Sequence, residues 1–251
     1  MIEIKKVNKS YGSNVVVNNA SAVIRKGKIT SFIGPNGAGK STLLSIISRL
    51  TLKKSGDVII DGRNLEQWKN SELAKKVSIL KQTNNINIRL TVKELVSFGR
   101  FPHNQGNLTK EDDKIIENAI EYLKLGELKN KYLDELSGGQ VQRAYIAMIL
   151  AQDTEYILLD EPLNNLDMKH SVEIMKILRR LADELGKTIA IVIHDINFAS
   201  CYSDYIIALK DGRIVENDVA ANIIQKEKLE KLYDMDFDIT KINNMKLCVY
   251  F

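Results

Sequence analysis

Gly34-Pro35-Asn36-Gly37-Ala38-Gly39-Lys40-Ser41-Thr42 lies between the apolar run Ile29 to Ile33 and the apolar-periodic run Leu43, Leu44, Ile46 and Ile47. The stretch fits G-x-x-x-x-G-K-[ST] in the context that gives the pattern meaning, a strand leading into a loop and then a helix. Glycines let backbone N–H groups turn inward around a phosphate, and a helix starting near Ser41 aims its positive dipole end at the same point. Lys40 supplies a mobile positive charge for the outer phosphates, and the Ser41 hydroxyl is placed to ligate Mg²⁺. A chance glycine turn with a surface lysine would not need both flanking elements, so the stretch is read as a phosphate-binding loop.

The composition around this loop narrows the classes. At 251 residues the chain is one large domain or two small ones, and 44% hydrophobic with 27% charged residues suits a globular protein with ample core. A formal charge of +4, without clustering, argues against a dedicated nucleic-acid surface but leaves room for contact with an anionic membrane face. Cys201 and Cys248 are the only cysteines and form no C-x-x-C, so neither a disulfide scaffold nor a zinc site is indicated. No apolar run approaches the ~18 residues that a bilayer span needs. Met1 to Val7 alternates apolar and charged residues without a signal-peptide core. The expectation is a cytoplasmic chain whose membrane role, if any, comes through a partner.

Working outward, the amino-terminal side reads as strands at Ile2 to Val7 and Ala20 to Ile24. Between them, Tyr11 is either a half-buried edge-strand residue or a ring that stacks on adenine. On the carboxyl side, a buried strand at Val77 to Leu80 ends at Lys81-Gln82. From Thr91 the period becomes helical: Thr91 and Glu94 form a capping box, and Ile115, Ile116, Ala119, Ile120 and Leu123 repeat the pattern. This reads as a helical insertion in an α/β chain.

The insertion ends at Leu136-Ser137-Gly138-Gly139-Gln140, where small residues and a hydroxyl again precede a helix and create a second anion-binding terminus. Next, Tyr156 to Leu159 is a short apolar run closing on Asp160-Glu161, as a fully buried parallel strand does at the sheet edge where ligands bind. Adjacent strand residues point opposite ways, so Asp160 can face Mg²⁺ while Glu161 faces a water. Leu163 to Asp167 forms a loop before a helix over Ser171 to Leu185. A strand at Thr188 to Ile193 then ends at His194, the same strand-end position one βα unit later. Asp211-Gly212 marks a type I′ hairpin turn, and Ala221 to Phe251 mixes a charged helix with a last apolar strand.

The phosphate loop, Leu136 to Gln140, the Asp160-Glu161 strand and His194 occur in the order and spacing of the ATP-binding cassette ATPases, and the likeness covers nearly the whole chain. The resemblance implies a P-loop NTPase core: a mixed, largely parallel sheet with flanking helices and an amino-terminal antiparallel β subdomain. Core segments would be 1–84 and 151–220, the inserted helical subdomain 85–150, and a carboxyl-terminal extension 221–251. Position by position, it implies Tyr11 against adenine and Gly34 to Thr42 around the phosphates. Gln82 would touch Mg²⁺ or the attacking water, Asp160 would position Mg²⁺, and Glu161 would be the general base. Asp167 would lie in the subunit-crossing loop, and His194 would contact the γ-phosphate. Such cassettes work as head-to-tail pairs, so Ser137, Gly138, Gly139 and Gln140 of one copy would close over ATP held by the other.

Two positions depart from the family pattern: Asn164-Asn165 where a small, serine-containing loop is usual, and Met148 where a second basic residue is usual. Gly99-Arg100-Phe101-Pro102-His103, Leu108 to Asp112 and His194-Asp195-Ile196-Asn197 look most like the importer subgroup energising iron-siderophore uptake, in its catechol or petrobactin-type branch. That resemblance implies two membrane permease subunits, received by a groove formed from the loops after Gln82, and an extracytoplasmic siderophore-binding protein. It also implies a place on the cytoplasmic face of the membrane. Import of vitamin B12, haem or a metal ion is the neighbouring alternative. A soluble cassette protein acting on ribosomes, DNA or cofactor assembly is disfavoured, because no second cassette, long coiled coil or basic arm is visible.

Overall fold

The amino-terminal sequence folds as a bulged hairpin. In the computed structural model, which describes residues 1–82, 88–243 and 245–250, β1 (Ile2–Tyr11) pairs antiparallel with β2 (Asn14–Ile24). Ile2, Ile4 and Val7 of β1 and Val17, Ala20, Ala22 and Ile24 of β2 are buried. Register shifts lie between Ile4 and Val7 and again between Val7 and Ser10, with Lys6 at φ 49°. These bulges break the apolar alternation, which is why both strands run further than the pattern over Ile2 to Val7 and Ala20 to Ile24 suggests. After β3 (Ile29–Ile33) and α1 (Lys40–Ile47), β4 (Ser55–Ile60) and the short β5 (Arg63–Asn64) complete an antiparallel sheet of order β2-β1-β4-β5.

The chain falls into two compact units, Met1–Trp68 with Arg179–Phe251, and Lys69–Leu178. The second contains α2 (Asn70–Ala74), β6 (Val77–Leu80), α3 (Val92–Ser97), α4 (Phe101–Asn104), α5 (Lys110–Tyr122), α6 (Gly138–Ala151) and β7 (Tyr156–Asp160). Helices α3, α5 and α6 pack together through buried Leu95, Val96, Ile116, Ile120, Ile146 and Ile149. Capping boxes open α3 at Thr91 and α5 at Thr109. Buried Arg100 clamps this bundle: its Nε donates to Asp112 Oδ1 at 2.7 Å and its Nη1 to Ala151 O at 2.9 Å. The Thr109 backbone N–H, then Asn104 and Arg100, hold the Asp112 carboxyl far below the usual carboxylate range.

The chain continues through α7 (Met168–Leu185), which begins at Met168 rather than Ser171, and β8 (Thr188–Val192). There follow α8 (Ile196–Tyr202), β9 (Tyr205–Lys210), β10 (Arg213–Val219), α9 (Ala220–Ile223), α10 (Lys226–Tyr233), β11 (Asp238–Ile242) and β12 (Met245–Val249). β3 lies between β8 and β9, parallel to both, and every residue of β3 and β8 is buried, as expected of strands covered on two faces. Asp211 (φ 49°) and Gly212 (φ 75°) turn β9 into β10 with the two positive φ angles of a type I′ turn. Leu229, Leu232, Phe237 and Cys248 share one buried cluster with Ile33 of β3. Among the described residues, no helix is long and apolar enough to cross a membrane.

Candidate active site

The first unit contains the phosphate loop, delivered by the buried strand β3. Gly34 has φ 136°, and a Cβ there would collide with the carbonyl oxygen of Leu209, so no side chain is tolerated at the turn out of the strand. Gly39, at φ 94°, is the N-cap of α1; it has no side chain to bond the first helical N–H groups, and no acid stands in the first turn. Lys40, 4% exposed, folds back so that Nζ donates to the Gly34 and Pro35 carbonyls at 2.7 and 2.9 Å. Its ammonium is thereby held within the loop. Asn36 and Gly37 are exposed, Ala38 is buried, and Ser41 and Thr42 are half-buried on the first turn of α1.

His194 belongs to the same unit. The parallel pair Phe32–Val192, with Ile193 N–H donating to Phe32 O at 3.2 Å, carries the chain past β8 to the edge where the phosphate loop begins. His194 is exposed there, and Asp195 next to it caps α8 by accepting from the Asn197 and Phe198 N–H groups. Tyr11 ends β1 with 53% of its surface exposed, and Lys9 Nζ lies 4.7 Å from its ring centroid. An exposed ring of this kind can accept a stacked base.

The second unit holds the carboxylates. β6 and β7 are parallel with Leu80 opposite Leu159, so two further residues bring Gln82 and Glu161 to one edge. Gln82 Nε2 donates to Glu161 Oε2 at 2.7 Å. Asp160, 6% exposed, is the last residue of β7. Strand alternation does not extend to Glu161: β7 has ended at Asp160, and Glu161 takes a left-handed backbone, φ 51°. A non-glycine residue there is uncommon, and such conformations gather at functional sites. Asn164 Nδ2 also donates to Glu161 Oε2, so one departure from the family pattern has its side chain on the candidate base.

Ser137 to Gln140 form the start of α6. Ser137 Oγ accepts from Gln140 N at 3.4 Å, and Gln140 Oε1 accepts from Ser137 N at 2.9 Å, a complete capping box. Ser137 and Gly138 are exposed, whereas Gly139 is buried. Asp167 precedes α7 and is exposed; His170 N–H and Nδ1 both bond its Oδ1. The loops expected to receive a permease include residues 83–87, which lie outside the described residues.

Three contributors are not evident from spacing. Asn164 and His170 bond the acids assigned to chemistry and to subunit crossing. The Tyr233 hydroxyl of α10 accepts the Gly34 N–H at 3.2 Å, joining the carboxyl-terminal extension to the phosphate loop. Burial pushes the Tyr233 hydroxyl up to about 12, so it stays protonated. The bond spans 199 positions of sequence, so no local spacing reveals it.

Two properties of these residues fit a nucleotide with an accompanying cation. The loop has a glycine turn, a helix end without a side-chain cap and a buried lysine amine, all suited to phosphate oxygens. Among the described residues no group of three or more His, Cys, Asp or Glu forms a cage for a metal ion. Within the second unit, Asp160 and Gln82, an acid and an amide, are of the kind that suits a cation arriving with phosphate ligands of its own.

A family model described as ABC transporter matches residues 17–164. The chain belongs to the ABC transporter family. It is 63% identical over 251 residues to the petrobactin import ATP-binding protein YclP of Bacillus subtilis (strain 168), covering 100% of both chains. It is 48% identical over 250 residues to the petrobactin import ATP-binding protein FatE of Bacillus anthracis, again covering 100% of both. Among solved structures, the dimeric MJ0796, a bacterial ABC transporter cassette, superposes with a TM-score of 0.78 at 34% identity, over 88% of this chain and 99% of that one. The antiparallel amino-terminal sheet, the parallel strands around β3 and the flanking helices are the ABC ATPase fold, and the chain is an ATP-hydrolysing cassette.

Proposed function

We propose that this ABC ATPase energises import of a petrobactin-type iron-siderophore. The observation carrying this reading is the 63% identity, end to end, with a petrobactin import ATP-binding protein. Two copies would pair head to tail on two permease subunits at the cytoplasmic face of the membrane, and an extracytoplasmic siderophore-binding protein would deliver the cargo. The core would comprise 1–84 and 151–220, with 85–150 as the helical subdomain and 221–251 as an extension.

Tyr11 would stack on adenine, and residues 34–42 would wrap the phosphates, with Lys40 exchanging its loop carbonyls for phosphate oxygens. Ser41, Gln82 and Asp160 would hold Mg²⁺, which neutralises charge on the phosphate oxygens when bound. Glu161, its carboxylate oriented by Gln82 and Asn164, would take a proton from the water that attacks the γ-phosphorus, giving ADP and phosphate. His194 would contact the γ-phosphate. Ser137 to Gln140 of one copy would cover the nucleotide of the other, with Asp167 in the crossing loop, so ATP favours the closed pair and hydrolysis reopens it.

The test is uptake of iron-loaded petrobactin by iron-starved cells lacking this chain. Uptake should stop and return with the wild-type chain but not with Glu161→Gln. Unchanged petrobactin uptake together with lost uptake of haem, vitamin B12 or another siderophore would reassign the cargo.

A further inference from the structure

His170 stands in the first turn of α7, and its backbone N–H and ring Nδ1 each lie 2.8 Å from Asp167 Oδ1. A carboxylate only accepts, so the ring proton of that contact is on Nδ1. These bonds, the backbone N–H foremost, hold the Asp167 carboxyl below its ordinary range. The same ring lies against the start of α6: a Cβ built on Gly139 would overlap His170 Cδ2 and Cγ. Gly139 is not among the residues with positive φ, so space for the ring, rather than backbone conformation, is what excludes a side chain there.

The contact does little for stability. The His170 side chain is 27% exposed and that of Asp167 64%, and ion pairs so placed contribute little to folding. What the ring does is join two short segments from different parts of the sequence, one at residues 137–140 and one at 167.

We propose that His170 is a positioning residue for ATP hydrolysis, locking Asp167 to the amino end of α6 so that both segments meet the partner copy's nucleotide as one surface. This rests on the assignment of Ser137 to Gln140 and Asp167 to the second copy's site. Misplacing such a surface by an ångström is enough to slow chemistry without changing how the phosphate loop holds ATP.

The experiment is steady-state ATPase kinetics on the purified full-length protein. His170→Ala should lower kcat about tenfold with KM for ATP within about twofold, the pattern of an interaction lost in the transition state. His170→Asn, whose amide can replace the Nδ1 donor, should recover most of that loss. Combined with Asp167→Ala, which removes the acceptor, His170→Ala should be no slower than the slower single variant, because both changes break one contact. A folded His170→Ala with wild-type kcat, a loss confined to KM, or losses that multiply with Asp167→Ala would overturn the proposal. Should His170→Ala fail to fold, His170→Phe, which keeps a ring but has no donor, and its double variant with Asp167→Ala carry the same test. Glu161→Gln in the same assay separates the two levels: an inactive Glu161→Gln beside an unaffected His170→Ala rejects only the role of His170. A fully active Glu161→Gln rejects the active-site reading and this inference with it.

Discussion

The helix after the phosphate loop begins on Gly39, an N-cap without a side chain, whereas the helix after Leu136 begins inside a capping box of Ser137 and Gln140. Both are glycine-rich amino ends, and both carry the partial positive charge of a helix terminus. They differ in what already satisfies the donors. At α1 the nearby charge is Lys40, held on the Gly34 and Pro35 carbonyls, and the N-cap residue has no side chain to compete for the donors. At α6 the Gln140 N–H is bonded to Ser137 Oγ, and Ser137 N–H to Gln140 Oε1. An uncapped end can take an anion directly, while a boxed end must exchange its own bonds for the anion's. The first arrangement suits a loop that holds nucleotide by itself. The second suits a surface that engages only when another copy presents one.

The largest expected effect tests whether turnover depends on the Glu161 carboxylate. Glu161→Gln should keep ATP binding and favour the closed pair while turnover falls about 10²–10⁴-fold, the usual contribution of a general base. Undiminished hydrolysis would remove Glu161 from the mechanism. Next, Lys40→Ala removes the cation held on the Gly34 and Pro35 carbonyls beside α1. ATP affinity should fall roughly ten- to a hundredfold, matching ~1.5–3 kcal/mol for a hydrogen bond to a charged group. Equilibrium binding to the purified chain measures it, and normal affinity would break the contrast between the two ends.

That contrast is only partly legible in the sequence. The phosphate loop, the buried run ending at Asp160, the Thr91 capping box and the Asp211-Gly212 turn are local patterns, each decided by a few neighbouring residues, and each is present. The capping box at Ser137 uses the same chemistry, but the glycines at its centre point to anion binding alone. β11, Asp238–Ile242, gives no apolar pattern because four of its five residues are exposed, and its partner β12 lies across a turn. Asn164 reads as a departure because its spacing says nothing about Glu161, which it reaches only through the left-handed backbone of Glu161 and the turn that follows. Tyr233 and His170 act across tertiary contacts that no periodicity encodes.

A smaller effect separates capping from ligand contact at α6. Ser137→Ala should cost about 1 kcal/mol of stability, the usual value of an N-cap side chain. It should leave ATP affinity of the isolated chain unchanged, because the phosphate loop has its own donors. Urea unfolding and nucleotide binding on one preparation measure both. A drop in affinity would mean that the two termini are not independent.

The last expected effect concerns how α6 is held at its other end. Arg100 bonds both Asp112 and the Ala151 carbonyl at the carboxyl end of α6, with Arg100 6% and Asp112 4% exposed. The Asp112 carboxyl is held far below its ordinary value, by the Thr109 backbone N–H first and then by Asn104 and Arg100. A depressed folded-state pKa means that this carboxylate stabilises the fold fully above its unfolded pKa, near 3.9, and progressively less as pH falls toward the folded value. Between pH 8 and 5 it should therefore contribute no slope. From pH 4 to pH 3 the unfolded carboxyl takes up a proton that the folded one refuses, and this group alone should remove at most about 1.4 kcal/mol. Asp112→Asn should flatten that part of the acid profile while lowering stability at neutral pH, since Arg100 then lacks its charged partner in a buried place. Urea unfolding of wild type and Asp112→Asn at pH 7, 4 and 3 gives the comparison. Parallel profiles would mean that the amino end of α6 is presented without help from the clamp at its far end.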